Sequence, residues 1–438
     1  MRYELIFPHY HGITKPMNSI LADTIRVRFF TPVLLALSQS CNRRHCPEFT
    51  DEQFVESGIG RVIGFAQSGR DWVQRMQMWM NSRLSVSNFF QSLKSTRRLQ
   101  LLNEVSENVR QQVDATLPET LDPLAQYPEL RGFAIYASDG HYEQPGSHTS
   151  EENEKGEAVG YFFSLNLRSH SLTLLDIARP IRKRENDITA LKRLGSTQLL
   201  MNESKGVKVI HVYDPAVIDY AQWRRWKAKG VYIISREKAN SMAEVVGNIQ
   251  WDRCDPRNLG VLADDLVGVF CGVMLRRVTY CDPATGTVYT YMTSEMTLPP
   301  GLIAFLYKLR WDVEKVFDEK KNKLNQKKAW ACSRVAHAQQ AYFVCLAHNL
   351  MVLLERHLET QEGITDVKVQ DKREQRASLL EAKLKQQGLV PNPLVQQCTR
   401  MTQRSLQFIR WLRHCLQSAT SYNDGLTLLR PLMQDYIS

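Results

Sequence analysis

Two aspartates and a glutamate in this 438-residue chain stand where carboxylates can do chemistry. Asp139 follows the apolar run GFAIYAS (132–138) and precedes Gly140, and Asp214 follows VKVIHVY (207–213) and precedes Pro215. An acid at the carboxyl end of a strand is poor core material. It is a good ligand for a hard cation, because the strand fixes its position while the sheet edge leaves room for solvent and substrate. Taken alone, each also reads as a turn or helix-cap aspartate, since Asp-Gly and Asp-Pro are common there. Glu314 lies in LYKLRWDVEKVF. On a helix advancing about 100° per residue, Tyr307, Arg310, Glu314 and Lys321 share an arc of roughly 60°. They adjoin an apolar stripe of roughly 100° made by Leu302, Leu306, Leu309, Val313, Val316 and Phe317. Such a helix buries one stripe and presents a polar row at its edge, a pattern an ordinary solvated rim would share. Lys320 points toward the stripe, so Lys321 belongs to the row, and Asp318 is the second-choice acid.

The elements that must position these acids follow from the apolar periods. Residues 1–16 carry no clear period and read as a tail, with Met17 an alternative start. From about 20 to 115 apolar residues recur at three- and four-residue intervals in FTPVLLALSQS, DEQFVESGIGRVIGFAQ, WVQRMQMWM and TRRLQLLNEVSENVRQQV, which predicts helices. The stretch 116–130 has three prolines and reads as a linker. Then GFAIYAS, AVGYFFSLNL (158–167), LTLLDI (172–177), VKVIHVY and VYIIS (231–235) read as strands, with helices at ENDITALKRL and AQWRRWKAKG. That order suggests three meandering strands followed by crossover units in one mixed α/β sheet. Residues 236–300 read as a β-rich insertion, with CDPATG as a turn between LVGVFCGVMLRRVTY and GTVYTYMTS. After Pro299–Pro300 one long helix is expected from Leu302 to about Leu324, and the rest of the chain reads as helical. The expected regions are a helical 1–120, a catalytic 121–335 and a helical 336–438.

Composition narrows the partner. Hydrophobic residues at 43% and charged residues at 23% are ordinary for a globular chain. A formal charge of +10 and a pI near 9.1 suit a polyanion, either nucleic acid or an anionic membrane surface. No apolar run approaches the roughly 18–20 residues a membrane span needs, and FTPVLLALS lacks a cleavage site. Nine scattered cysteines do not form a disulfide framework and point to a reducing, cytoplasmic compartment. The balance favours nucleic acid.

The spacing Tyr307-x2-Arg310-x3-Glu314-x6-Lys321 resembles the YREK signature of bacterial insertion-sequence transposases, the IS-four group within the DDE transposases. Trp311 and Phe317 fit the same local pattern. The SRE at 235–237 resembles the strand-plus-Arg after the second aspartate of that group, and FTPVLLALSQSCNRRHC resembles its early Thr-Pro segment. Gly140-His141 departs from the Gly-Ser or Gly-Thr of many relatives. The resemblance implies a ribonuclease H-like core, a mixed five-stranded sheet flanked by helices. The first aspartate would sit on the central strand, the second on an adjoining strand, and the glutamate on a helix packed across them. Asp139, Asp214 and Glu314 would hold two Mg²⁺ or Mn²⁺ ions about 3.5–4 Å apart for in-line displacement at phosphorus. Water would be the nucleophile for nicking, and the freed 3′-hydroxyl for joining. Arg310 and Lys321 would grip DNA phosphates, and Tyr307 would touch a phosphate or simply pack its helix. Trp251, the one tryptophan of the insertion, is the candidate for stacking an extruded base, or else an ordinary packing residue. The helical N-terminal region would recognise the terminal inverted repeats of double-stranded DNA, and a homodimer would form the synaptic complex. Such a protein is expected in the bacterial cytoplasm, at the nucleoid when bound.

Other clusters read as incidental. Cys41-x4-Cys46 with His45 lacks a second ligand pair at zinc-finger spacing, and Cys332, His337, Cys345 and His348 read as packing. The basic groups at 178–185 and 224–227 suit either phosphates or a solvated face. KKNKLNQKK (320–328) continues from the signature helix and suits phosphates better. The competing function from another class is a catalytically silent or domesticated DNA-binding repressor derived from a transposase. A third reading limits the core to nucleic-acid hydrolysis. All three acids and the full signature are present, which favours the enzyme.

Overall fold

The structure is a computed structural model and describes residues 23–64, 68–80, 85–147, 158–179, 185, 187–269, 272–283, 285–389, 404–418 and 420–434. The tail expected at 1–16, the alternative start at Met17 and most of the basic run 178–185 lie outside the described residues.

Five helices come first: α1 (Ile25–Ser38), α2 (Asp51–Ile63), α3 (Gly69–Met80), α4 (Val86–Ser92) and α5 (Thr96–Ala115). Thr24, Thr50, Ser85 and Ser95 each accept a hydrogen bond from a first-turn amide, so local chemistry sets these starts. Thr50 and Gln53 add a reciprocal capping box. The stretch 116–130, expected as a linker, is packed instead. Leu124, Tyr127 and Leu130 are buried, and Arg168 pairs with Asp122 at 2.7 Å. Proline limits the freedom such a segment loses on folding, and the apolar residues between the prolines anchor it.

Among the described residues the sheet has nine strands in the order β3-β2-β1-β4-β5-β9-β8-β7-β6. In chain order they are β1 (Phe133–Glu143), β2 (Val159–Asn166), β3 (Leu172–Ile177), β4 (Lys208–Tyr213), β5 (Val231–Arg236), β6 (Ala243–Asn248), β7 (Val261–Val269), β8 (Val273–Cys281) and β9 (Val288–Thr293). As expected, β1 to β3 form an antiparallel meander, and β4 and β5 join parallel to β1. Helices α6 (Asp187–Arg193), α7 (Ser196–Leu199) and α8 (Tyr220–Lys227) make the crossovers. The sheet is larger than the five strands that the resemblance implies. The insertion's four strands extend the same sheet, because β9 pairs antiparallel with the otherwise open edge of β5. The long apolar run 266–280 hides a hairpin whose Gly272 has φ 65°.

Alternation along β1, β4 and β5 sends Ile135, Ala137, Ile210, Val212 and Ile234 into the main core, shared with α5 and with α9 (Pro300–Leu309), α10 (Trp311–Asp318) and α11 (Arg334–Glu362). The opposite face buries Tyr136 and Val209 in one cluster and, in another, Trp223 and Trp226 of α8 against Val231 and Ile233. Burying each such side chain contributes roughly 1.5–3 kcal/mol. The charged stretch after α11 is itself a helix, α12 (Val367–Gln386), followed by α13 (Leu406–Gln417) and α14 (Tyr422–Gln434). α1 packs against α13, so the two helical ends of the chain meet. All seven described cysteines are free thiols, and no described helix is long and apolar enough to cross a membrane.

The single helix expected over 302–324 is segmented. Pro300 opens α9 at a position that needs no N–H. At Arg310 the ladder tightens: the Arg310 amide donates to Tyr307 O (3.1 Å) and the Val313 amide to Arg310 O (3.2 Å). After Asp318 it widens into a π-turn, Glu319–Lys323, with the Leu324 amide donating to Glu319 O at 3.0 Å. Lys320 is buried and Lys321 exposed, as the periodicity anticipated.

Candidate active site

Strand register places the first two acids. β1 and β4 pair from Phe133↔Lys208 to Ala137↔Val212, and the same step continued sets Asp139 level with Asp214. β4 ends at Tyr213, whereas β1 runs on to Glu143 beside β2 alone. Asp139 therefore lies inside its strand rather than after it, with its β4 side open. Both aspartates share parity with Ala137 and Val212, so both face the helices rather than α8. Asp214 also caps the turn Pro215–Val217, accepting from the Ala216 amide at 2.8 Å.

Glu314 comes to the same face on α10, which packs on β1 and β2. Its carboxylate meets Arg310 at 2.6 Å, and the same guanidinium lies 3.5 Å from Asp139. Arg310 is buried and stands between the two acids. Burial pushes the Asp139 carboxyl up to about 7, with Arg310 opposing and the charges of Asp214 and Asp187 adding to the rise. Like charges crowded on a half-buried face resist ionising together.

Asp187, the first residue of α6, is an acid that the sequence reading missed. The Gly140 amide donates to Asp139 Oδ1 at 2.8 Å, and Asp187 lies close enough to Gly140 for that amide to oppose the rise of its pKa. A Cβ on Gly140 would lie 2.7 Å from Asp187 Oδ1, so any larger residue there would push the Asp187 carboxylate aside. Burial, and then the charge of Asp214, push Asp187 up to about 6. In sequence it looks like any acid in a first helical turn, and nothing local marks it as part of a site.

The rest of α10 follows the extended half of β1. Phe317 packs on His141 with ring centroids 5.0 Å apart, and Lys320 pairs with buried Glu143. Burial, then the charges of Lys320 and Lys321, push His141 down to about 3. Lys321 is exposed beside this end of the strand.

On the other flank aromatics form a ladder. Arg310 lies 5.8 Å from the Tyr307 ring, Tyr307 meets Tyr291 at 4.9 Å, and Tyr291 stacks with Tyr289 at 6.3 Å. Arg236 covers Tyr289 at 5.4 Å. Arg236 pairs with Tyr291 in the β5–β9 register and lies level with Asp214 in the β4–β5 register. The alternation in GTVYTYMTS was the signal that could have exposed the two tyrosines. Trp251 sits apart, half-buried in the loop after β6 with Arg253 5.0 Å above its ring.

Hard carboxylate oxygens outnumbering one guanidinium suit a divalent cation such as Mg²⁺ or Mn²⁺. Among the described residues no three or more His, Cys, Asp or Glu side chains are drawn together as a metal cluster. Arg310 separates Asp139 from Glu314 instead.

Comparison with known proteins gives one informative match. Residues 165–350 match the family described as transposase DDE domain. The match covers less than half of the chain, includes Asp214 and Glu314, and begins after Asp139. It supports a DDE transposase. No curated protein matches the chain. Among solved structures, a piggyBac transposase synaptic complex with hairpin DNA is similar at 12% identity, over 94% of this chain and 80% of that one, with a TM-score of 0.34. So loose a likeness carries no inference about this chain.

Proposed function

We propose that this chain is a DDE transposase of the YREK-signature, IS-four type that nicks and joins the inverted-repeat ends of its own element, with Asp139, Asp214 and Glu314 as the metal-binding acids. The observation that carries the reading is the register that sets Asp139 level with Asp214 on one face, beneath the helix that brings Glu314 to Asp139 through Arg310. The order β3-β2-β1-β4-β5 supports a ribonuclease H-like core, with Asp139 on its middle strand and Asp214 at the end of a neighbour. Two Mg²⁺ or Mn²⁺ ions bound to these acids would activate the attacking oxygen and stabilise the leaving 3′ oxygen.

The protein's own residues do the remaining work. Arg310 offsets part of the charge of Asp139 and Glu314 in the free protein. Its planar fork is suited to exchange those carboxylates for a DNA phosphate when cations take over the acids. Lys321 adds a point charge at the exposed end of the same face. Tyr289, at the outer end of the ladder and under Arg236, is better placed than Trp251 to stack an extruded base. Asp187 lies against Gly140 and adds negative charge beside Asp139. Double-stranded DNA is the partner, a homodimer the synaptic unit, and the bacterial nucleoid the place of work.

The test is incubation of the full chain with element-end DNA and Mg²⁺, followed by strand analysis. The wild type should nick and join, and Asp139→Asn or Glu314→Gln should do neither while still binding DNA. Full activity in either variant removes that residue from the site. DNA binding without nicking by the wild type would favour the silent repressor.

A further inference from the structure

His211, within β4, is fully buried and shares parity with Val209, so it lies on the sheet face away from the acids. Its ring stacks between Tyr136 and Tyr213, with centroids 5.6 Å away on each side. Both ring nitrogens are engaged: Nε2 lies 2.8 Å from Leu199 O and Nδ1 lies 3.2 Å from Ser138 Oγ. Burial pushes the imidazole down to about 4, so it is neutral and carries one N–H. A carbonyl can only accept, which puts that hydrogen on Nε2 and makes Nδ1 the acceptor of the Ser138 hydroxyl. With its own hydrogen committed, Ser138 accepts from Ser164 Oγ at 2.8 Å. One directed row therefore runs from Ser164 to Ser138 to His211 to Leu199, across β2, β1 and β4 to the end of α7.

The row crosses the sheet where the backbone stops holding it. Pairing between β1 and β4 ends at Ala137↔Val212, and Asp139 and Asp214 lie two residues further on. Their like charges repel, which is part of what raises the Asp139 pKa. Between the last backbone pair and the acids, the Ser138–His211 bond ties β1 to β4 through side chains. From the other side Ser235 of β5 donates to the Asp214 carbonyl at 3.0 Å, which steadies the end of β4. An apolar side chain at 211 would fill the same space with no donor or acceptor to satisfy, so burial alone does not account for the imidazole.

We propose that His211, acting through Ser138, is a positioning residue for the acid pair. It fixes the lateral spacing of Asp139 and Asp214 against their mutual repulsion, and so sets how tightly the pair holds a divalent cation. The inference rests on the reading under Proposed function that these acids bind the cation. His211 itself touches neither cation nor DNA.

The experiment follows Mn²⁺ binding to the full chain on an element-end duplex, with thermal unfolding measured alongside without metal. Bound Mn²⁺ is read from the loss of the free-ion electron-resonance signal, with the duplex alone subtracted. Ser138→Ala and His211→Phe should each weaken Mn²⁺ binding about 10-fold, the scale on which supporting groups act at a metal site. Neither should change binding of the duplex without metal. His211→Asn, whose amide oxygen can still accept from Ser138, should keep more Mn²⁺ affinity than His211→Gln, whose longer reach favours Leu199. A purely structural histidine would order those two variants by Tm alone. Asn349→Leu is the control for lost packing, because Asn349 ties α11 to β3 by accepting from the Leu172 amide at 2.8 Å. It should lower the Tm without moving Mn²⁺ affinity. Wild-type Mn²⁺ affinity in Ser138→Ala and in the folded His211 variants overturns the inference, and Ser138→Ala alone decides it if no His211 variant folds. Asp139→Asn separates the two readings. If it loses Mn²⁺ binding while Ser138→Ala keeps it, the acids stand and the positioning role falls; if Asp139→Asn binds as the wild type does, both fall.

Discussion

The two ends of α10 treat charge in opposite ways. At its start one guanidinium, Arg310, faces Asp139 and Glu314, with Asp214 and Asp187 close enough to raise the Asp139 pKa. At its end every buried acid has an answer. Glu143 pairs with Lys320 and accepts from Gln340 at 3.0 Å, while Glu319 accepts from the Arg404 amide at 2.6 Å and its guanidinium at 2.7 Å. Arg404 also holds Glu355 at 2.8 Å. One end stores unbalanced negative charge on a half-open face; the other is balanced, dry and braced by the C-terminal helices. Unbalanced charge awaits a ligand, whereas balanced charge sets the helix in place.

The same acid-to-amide change should therefore have opposite outcomes at the two ends. Asp139→Asn or Glu314→Gln should lower strand cleavage by at least about 10³-fold, a loss worth roughly 4 kcal/mol, without lowering the Tm. A fall in Tm as large as at the other end would erase the distinction. Removing one partner at the balanced end, in Arg404→Met or Lys320→Met, should cost about 3–5 kcal/mol in urea unfolding, because it strands a buried carboxylate. Unchanged stability there would show those pairs to be dispensable.

Smaller effects sharpen the same contrast. Tyr289→Ala should weaken binding of substrate with an unstacked base near the cleavage site by about 1–3 kcal/mol, and Trp251→Ala should not. The reverse ranking would restore Trp251. Asp187→Asn should reduce cleavage by about 10–100-fold and shift the Mg²⁺ dependence, as loss of a supporting group does. An unchanged metal dependence would make Asp187 merely structural. Burial lowers His211 to about 4, and burial with the charge of Arg404 lowers His348 to about 3. Both stay neutral when folded and take up protons when unfolded, so the Tm should fall as pH drops from about 6.5 toward 4. His211→Asn should flatten that slope.

Much of this molecule is written locally. The caps at Thr24, Thr50, Ser85 and Ser95, the core strands, the apolar stripe of the signature helix and the inward turn of Lys320 all follow from short-range pattern and side-chain chemistry. Glu314 stands out as a candidate because Tyr307, Arg310, Glu314 and Lys321 repeat a known spacing. What local pattern could not carry is whatever depends on strands meeting. The insertion reads as a separate unit until β9 finds the free edge of β5. Asp187 looks like any first-turn acid until Gly140 comes within contact of it. Tyr289 looks like strand filler until Arg236 covers it. The sequence by itself determined which acids are candidates for a cation and which segment presents Glu314 beside an apolar stripe, because residue type and helical period are local properties. Only the tertiary structure decided that Asp139 and Asp214 stand level and that Arg310 lies between Asp139 and Glu314. Register between strands and the company a buried charge keeps are set by the whole packed chain.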